Sequence, residues 1–280
     1  WPSQTNQESS RLVDGRIASS VSTCMNFLED PFIKSLIARL NQPGVVGLAL
    51  VGSYARGQNT PHSDVDVDIF VETLPPKPYT LRYIDGHLIS LKYLTFEKEC
   101  ESFMQPEIAI WAVPGFRQMA ILADVSGRLA ELKKAAQNFN WQSLQPAADE
   151  YAIEELMGCA EEVHKIIGGL SQDDESKVLY AVWGLFKGLA NAVAVQRGMI
   201  MESENRYFDV IQESIGHTHK WTRAFRLVLG ADVGDVNISV YRTRGQAALA
   251  LYKHTAQLFQ NIILEKHRDV IENTLQLINR

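Results

Sequence analysis

Residues 45–71 read Val-Val-Gly-Leu-Ala-Leu-Val-Gly-Ser-Tyr-Ala-Arg-Gly-Gln-Asn-Thr-Pro-His-Ser-Asp-Val-Asp-Val-Asp-Ile-Phe-Val. Val45–Val51 is a short, β-branched apolar run closed by Gly52, the pattern of a buried strand. After a polar loop, acids alternate with branched apolar residues. The spacing predicts a second strand with Val65, Val67, Ile69 and Val71 on one face and Asp64, Asp66 and Asp68 on the other.

The chemistry of the stretch follows from those placements. Gly52 permits a sharp turn and close approach of a ligand to the backbone. Ser53 is expected to cap a helix, whose first N–H groups lack internal partners and face whatever lies beyond the strand end, a site suited to phosphate. Arg56, one turn on, adds a guanidinium fork for the same phosphates. Neighbouring acids on one strand face lie roughly 6–7 Å apart. Asp64 and Asp66 can therefore share one divalent cation or hold two. Hard oxygen ligands suit Mg²⁺, with Mn²⁺ as the alternative, and Mg²⁺ commonly takes one or two carboxylates together with substrate phosphates. Such ions assist an attacking oxygen and a leaving pyrophosphate. An Asp-x-Asp alone is more often a half-exposed sheet face. The combination with a Gly-Ser turn at the end of a preceding strand argues for function.

Gly52-Ser53, Ala55-Arg56-Gly57 and Ser63-Asp64-Val65-Asp66 together resemble the nucleotidyltransferase motif of the DNA polymerase beta superfamily. They are most similar to its small-molecule branch, which includes kanamycin and lincosamide nucleotidyltransferases. The resemblance is specific over roughly 45–140 and weaker over 147–200, and beyond 200 only helical character is shared. It implies transfer of a nucleoside monophosphate, AMP from Mg·ATP above all, to a hydroxyl of a small molecule such as an aminoglycoside- or lincosamide-like antibiotic; the alternatives are a protein-modifying nucleotidyltransferase acting as antitoxin or regulator, and a nucleotide-binding module with weakened catalysis. It carries Ser63 into the nucleotide site and implies a homodimer. It also matches Glu161, with Lys165 four residues later, to a general base and a lysine that steadies it and contacts the phosphates; Glu162 and Glu155 are the alternative matches. The sequence departs from the family at Ser90, where a third acid is common. Asp68 or Asp85 is a substitute, and Asp68 is taken as a third metal ligand, against the reading that it pairs with a basic residue of a neighbouring strand.

Composition narrows the classes. The chain has 280 residues, 46% hydrophobic and 21% charged, with a net charge of −6 and no basic run. That is globular and disfavours a nucleic-acid partner, whose backbone calls for a basic face. Cys24, Cys100 and Cys159 lack paired spacing and predict reduced thiols, no zinc site and a cytoplasmic setting. No apolar run approaches the ~20 residues of a membrane span, and no signal-peptide pattern opens the chain. The start at Trp1 is read as a trimmed end.

Along the chain, apolar spacing predicts two helices within 12–40: one carrying Ile17, Val21, Met25 and Leu28, the other starting at Pro31 with Asp30 as cap. Asp85-Gly86 between Tyr79–Ile84 and His87–Leu94 predicts a hairpin. Thr95 is expected to cap a helix, Met119–Leu122 to form a strand leading to Asp124, and Ser126–Phe139 to be helical. From Pro146 onward helices are expected near 147–170, 174–199, 203–216, 219–229 and 236–277, the last broken in two. On the helix from Asp149, the apolar stripe puts Glu161 on its flank and Glu162 toward solvent. Asp149, Glu150, Glu154 and Glu155 form an acidic group suited to a cationic acceptor or simply to solubility. The histidines show no metal spacing, and Trp183, Phe186 and Trp221 read as core. The expected architecture is an α/β (α+β) nucleotidyltransferase domain with a small mixed sheet at 1–140 and an all-α helical-bundle domain at 141–280.

Overall fold

The computed structural model describes residues 27–232 and 239–280. The expected first helix up to residue 26, Cys24 and the opening of the last helix at 236–238 lie outside them. The first described helix, α1, runs Pro31–Leu40, and the Asp30 side chain accepts from the Phe32 and Ile33 N–H groups as a cap. Strands β1 (Val45–Val51) and β2 (Val65–Val71) follow, separated by a single helical turn, α2 (Gly52–Ala55). The hairpin is as spaced: β3 spans Tyr79–Ile84 and β4 His87–Leu94. Its turn places Asp85 at φ 50° and Gly86 at φ 84°, the left-handed pair that Asp-Gly supplies. β5 is Ala120–Asp124.

The five strands lie in the order β3-β4-β2-β1-β5. β2 runs parallel to β4, and the other pairs are antiparallel, so the sheet is mixed. Its two faces divide as the alternation requires. Val65, Val67, Ile69 and Val71 pack with Leu48, Leu50 and α1 residues Ile33 and Leu36. On the opposite face Ala49, Phe70, Phe96, Phe116 and Leu129 form a separate core. Asp64, Asp66 and Asp68 continue this second face beyond Phe70.

Helix α3 spans Phe96–Ser102 and α5 Arg128–Gln137. Between them lies α4 (Pro106–Gln118), unexpected from the sequence because Pro106 and Pro114-Gly115 punctuate it. Pro106 occupies the first turn, where its missing N–H costs nothing. From Gln145 the chain is helical: α6 (Gln145–Ser171), α7 (Glu175–Gln196), α8 (Tyr207–Ile215), α9 (Lys220–Leu229), α10 (Val240–Leu258) and α11 (Glu265–Ile278). The expected break in the last stretch falls between α10 and α11. α6 and α7 form the central pair. They approach closely because Gly184 and Gly188 of α7 leave a notch: a Cβ at Gly188 would stand 2.8 Å from Cys159 Sγ and 3.2 Å from Glu155 Oε2.

Two expectations for this region change. Trp183 is 60% exposed rather than core, whereas Trp221 is fully buried and donates Nε1–H to Thr255 Oγ1 at 2.8 Å. α7 is long and apolar enough in composition to cross a membrane, with mean hydropathy 1.5, yet 56% of that window is buried against other parts of the protein. Among the described residues Cys100 and Cys159 are free thiols.

Trp221 stacks on Phe225 at 4.8 Å inside the helical core. Trp221→Ala should therefore lower unfolding stability by about 3–5 kcal/mol through the cavity it leaves. Denaturant titration checks this, and a loss below about 1 kcal/mol would show that the core collapses to fill the space.

Candidate functional site

Strand pairing builds the site. The β1–β2 register sets Val51 opposite Asp66, and the β2–β4 register sets Asp66 opposite Ser90 and Asp68 opposite Lys92. The turn after β1 is thereby brought onto the acidic face of β2. Gly52 has φ +66°, and a Cβ added there would lie 2.2 Å from Asp66 Oδ2. Both the left-handed backbone and the closeness of the carboxylate require glycine. Ser53 is not a cap: the cap position falls on Val51, and α2 is one turn long. What remains of the expected phosphate site is the unpaired N–H groups of that turn, with little helix dipole behind them.

These residues floor a cleft of about 890 Å³, lined by Gly52, Ser53, Arg56, Ser63, Asp64, Asp66 and Asp68 and walled by α4 at Trp111 and Phe116. Arg56 Nε donates to Gln58 Oε1 at 3.0 Å, which steadies it at the rim. Ser63 Oγ accepts the Thr60 N–H at 2.9 Å, so its hydroxyl closes the loop that carries Asp64. His62, exposed in the loop ahead of Asp64, also lines the cleft.

The carboxylates differ in environment. Burial raises the Asp66 carboxyl, Asp64 raises it further, and a Ser90 hydrogen bond opposes both. Ser90 is thus a hydrogen-bond partner of Asp66. Asp68 is buried, and its carboxyl is pushed up to about 7; Lys92 pulls it down while Glu99 and Asp66 push it up. Glu99 is buried with its carboxyl raised by desolvation and was not anticipated, because α3 offers only a polar-looking Glu-Lys-Glu run. Asp68 lies opposite Lys92 in the strand register, near Glu99, and lines the cleft with Asp64 and Asp66. Asp85 lies at the hairpin tip, ion-paired with Arg39 at 3.0 Å. Among the described residues no three His, Cys, Asp or Glu groups converge as a ready cage. Asp64 and Asp66 line the cleft together, and a pair of carboxylates is the donor set a Mg²⁺ takes when phosphates complete its shell.

The helical region contributes differently from expectation. Glu161 is 82% exposed on its side chain and lies 3.8 Å from Lys165, whereas Glu162 is 19% exposed and binds Lys165 at 2.7 Å. Glu161 and Lys165 line a groove with Asp269 and Asn273 of α11, not the acidic cleft. The physical reason is the Gly184/Gly188 notch, which lets α7 cover the flank of α6 bearing Glu155, Cys159 and Glu162. Glu155 instead lines a cavity of about 540 Å³ with Trp111, Tyr151, Lys187, Asn191 and Tyr207. Trp111 forms part of both cavities, so this one opens beside the cleft. Desolvation raises the Glu155 carboxyl. The other acids of the expected group are engaged elsewhere: Asp149 with Gln145 and Gln196, Glu150 with Lys266, and Glu154 near His267. Residues 201–206, after α7, add Glu202 and Glu204 to the cleft rim. Only tertiary packing brings them there, and the sequence holds no signal for it.

Residues 33–135 match the family model described as nucleotidyltransferase domain. No curated protein matches the chain. Among solved structures, a nucleotidyltransferase-like protein from Exiguobacterium sibiricum 255-15 is similar with a TM-score of 0.48 and 13% identity, over 88% of this chain and 79% of that one. The chain thus carries a nucleotidyltransferase domain with a small mixed sheet, followed by a largely helical region, and nucleotidyl transfer is the general activity that domain supports.

Two outcomes follow from the site. Gly52→Ala forces a side chain into a positive φ and onto Asp66, so stability should fall by about 1 kcal/mol or more, read as a lower denaturation midpoint; an unchanged midpoint would show that the turn relaxes freely. Asp68 holds its proton more tightly in the folded state, about 7 against 3.8, than in the unfolded chain. Its contribution to stability is therefore complete below about pH 4 and is lost as pH rises toward about 7. Asp68→Asn should flatten that decline in a series of melts from pH 4 to 7.5, and an identical slope in the variant would assign the decline to other groups.

Proposed function

We propose that this protein transfers a nucleoside monophosphate, AMP from Mg·ATP, to a hydroxyl group of a small molecule and releases pyrophosphate. The observation that carries the reading is the Asp66 carboxylate pressed against the left-handed Gly52 turn, with Asp64, just ahead of β2, lining the same cleft. Gly52, Ser53 and Arg56 hold the β- and γ-phosphates through backbone N–H groups and the guanidinium. Asp64 and Asp66 hold Mg²⁺, which supplies positive charge against the negative charge developing on the phosphates. Asp68 supports Asp66 from the buried side, within the group that includes Lys92 and Glu99.

In the reaction the acceptor oxygen attacks the α-phosphorus, the bond from that phosphorus to the bridging oxygen of the β-phosphate breaks, and pyrophosphate departs. The acceptor's proton passes to a carboxylate. We assign that base to Glu155 rather than Glu161, because Glu155 lines the cavity beside the cleft and makes no hydrogen bond or ion pair among the described residues. A raised carboxyl is also the better base near neutral pH. Trp111 stacks on Tyr207 at 5.5 Å and 22° between the two cavities, a rigid wall against which the acceptor is oriented.

The reading is tested by pyrophosphate release with Mg·ATP across a panel of hydroxyl-bearing acceptors. Asp64→Asn and Asp66→Asn should each lower turnover on the order of 10³-fold with melting temperature retained, and full turnover in both would refute the assignment. Mg·ATP at 100 times its dissociation constant should stabilise the fold by about 2.7 kcal/mol, an effect EDTA should remove; the absence of any shift with all four nucleoside triphosphates would exclude a nucleotide site.

A base at Glu155 predicts a separable pattern. Glu155→Gln should reduce turnover by about 10²–10⁴-fold with nucleotide binding unchanged, while Glu161→Gln should leave turnover near wild type. The reverse pattern would return the base to Glu161.

A further inference from the structure

We infer that the acceptor is an amphipathic organic anion, bound with its hydroxyl beside Glu155 and its apolar, negatively charged end in a second cavity of the helical region; this rests on the transfer reading above. The second cavity, of about 380 Å³, lies between α7, α8, α9 and α10, and its walls include Trp183, Phe186, Phe208 and Leu229. Tyr207 and Lys187 line both it and the Glu155 cavity, so the two lie in series. With Trp111 joining the Glu155 cavity to the acidic cleft, three spaces run from the phosphate site into the helices.

The lining selects the ligand. Phe186 packs on Phe208 at 5.8 Å, and Tyr207 meets Phe208 at 5.5 Å, giving a rigid aromatic surface. Trp183 and Phe208 remain 60% and 41% exposed, so apolar area is open to an occupant. The only charged groups among the described residues lining this cavity are Lys187 and Arg244. Arg244 donates Nε–H to the Val228 carbonyl at 2.8 Å, which fixes its guanidinium, and its terminal N–H groups have no partner among the described residues. Lys187 Nζ lies 5.8 Å over the Trp183 ring.

A polycationic acceptor meets the opposite field. Within the two helical cavities it would place amines beside two cations, with Glu155 the one lining carboxylate among the described residues to answer them. Like charges facing each other across a binding surface disfavour a ligand strongly. A chain or ring bearing a hydroxyl at one end and a carboxylate at the other matches the cavities in order: base, aromatic wall, cations.

The test uses the full chain without nucleotide. 12-Hydroxydodecanoate and 12-hydroxydodecyltrimethylammonium serve as probes in calorimetric titration against wild type, Lys187→Glu and Arg244→Gln, each variant checked by its melt. Wild type should bind the carboxylate at least about tenfold more tightly than the ammonium compound, a difference of about 1.4 kcal/mol. Lys187→Glu, at an exposed position, should abolish that preference, and Arg244→Gln should weaken carboxylate binding. Equal affinity for the two probes, no binding of the carboxylate, or carboxylate binding that Lys187→Glu leaves intact would each overturn the proposal. Loss of carboxylate binding alongside retained stabilisation by Mg·ATP would remove the acceptor class and leave the transfer reading standing. Selective carboxylate binding without any nucleotide effect would overturn the acceptor role together with that reading.

Discussion

A carboxylate against a glycine α-carbon sets the terms for the rest of the molecule. Asp66 occupies the space a side chain would need at Gly52, and the backbone there takes a left-handed turn that only glycine adopts without strain. The antiparallel register of β1 and β2 enforces this meeting, since it puts the last residue of one strand opposite the second residue of the other. Moving either strand by one residue would turn the acids into the hydrophobic face that packs on α1. Burial of Val65, Val67 and Ile69 against α1 thus holds the polar chemistry on the opposite side in place.

The cost of the arrangement is electrostatic. Asp66, Asp68 and Glu99 all bind protons more tightly than isolated carboxyls, chiefly because they are desolvated. Lys92 and the Ser90 hydroxyl offset part of it. A site that concentrates partly buried negative charge in this way is poised to gain from any cation that enters, which is the usual thermodynamic logic of carboxylate sites for hard ions.

Much of the sheet was legible because its signals are local. Asp30 before Pro31, the Asp85-Gly86 turn and the alternation through Asp64–Val71 each determine structure within a few residues. Val45–Val51 and both hairpin strands fall where the apolar runs end. The helical half was legible in its helices and not in its faces. Periodicity assigned one buried stripe to α6, but α7 covers a second flank through the notch at Gly184 and Gly188, so Glu155 and Glu162 turn inward and Glu161 outward. A glycine in a helix reads as a weak helix former and announces nothing about what will press against it. Trp183 fails in the mirror sense: its helical spacing resembles core, and only packing reveals that its ring borders an open cavity. α4 was hidden by its own prolines.

The division between sheet and helices drawn at residue 140 separates the chain without separating the protein. Ile110 of α4 is buried in the helical core, and its carbonyl accepts the Met201 N–H at 2.8 Å at the head of the segment that carries Glu202 and Glu204 to the cleft. One face of the same helix lends Phe116 to the core beneath the sheet. α4 therefore works as a shared beam: one end rests in each half, and the rim of the cleft hangs from its middle. A gene fragment cut at that boundary would inherit a beam with one support, exposing Ile110 and Trp111 to water. Exchanging the helical half for another to alter the acceptor would have to carry α4 along with it.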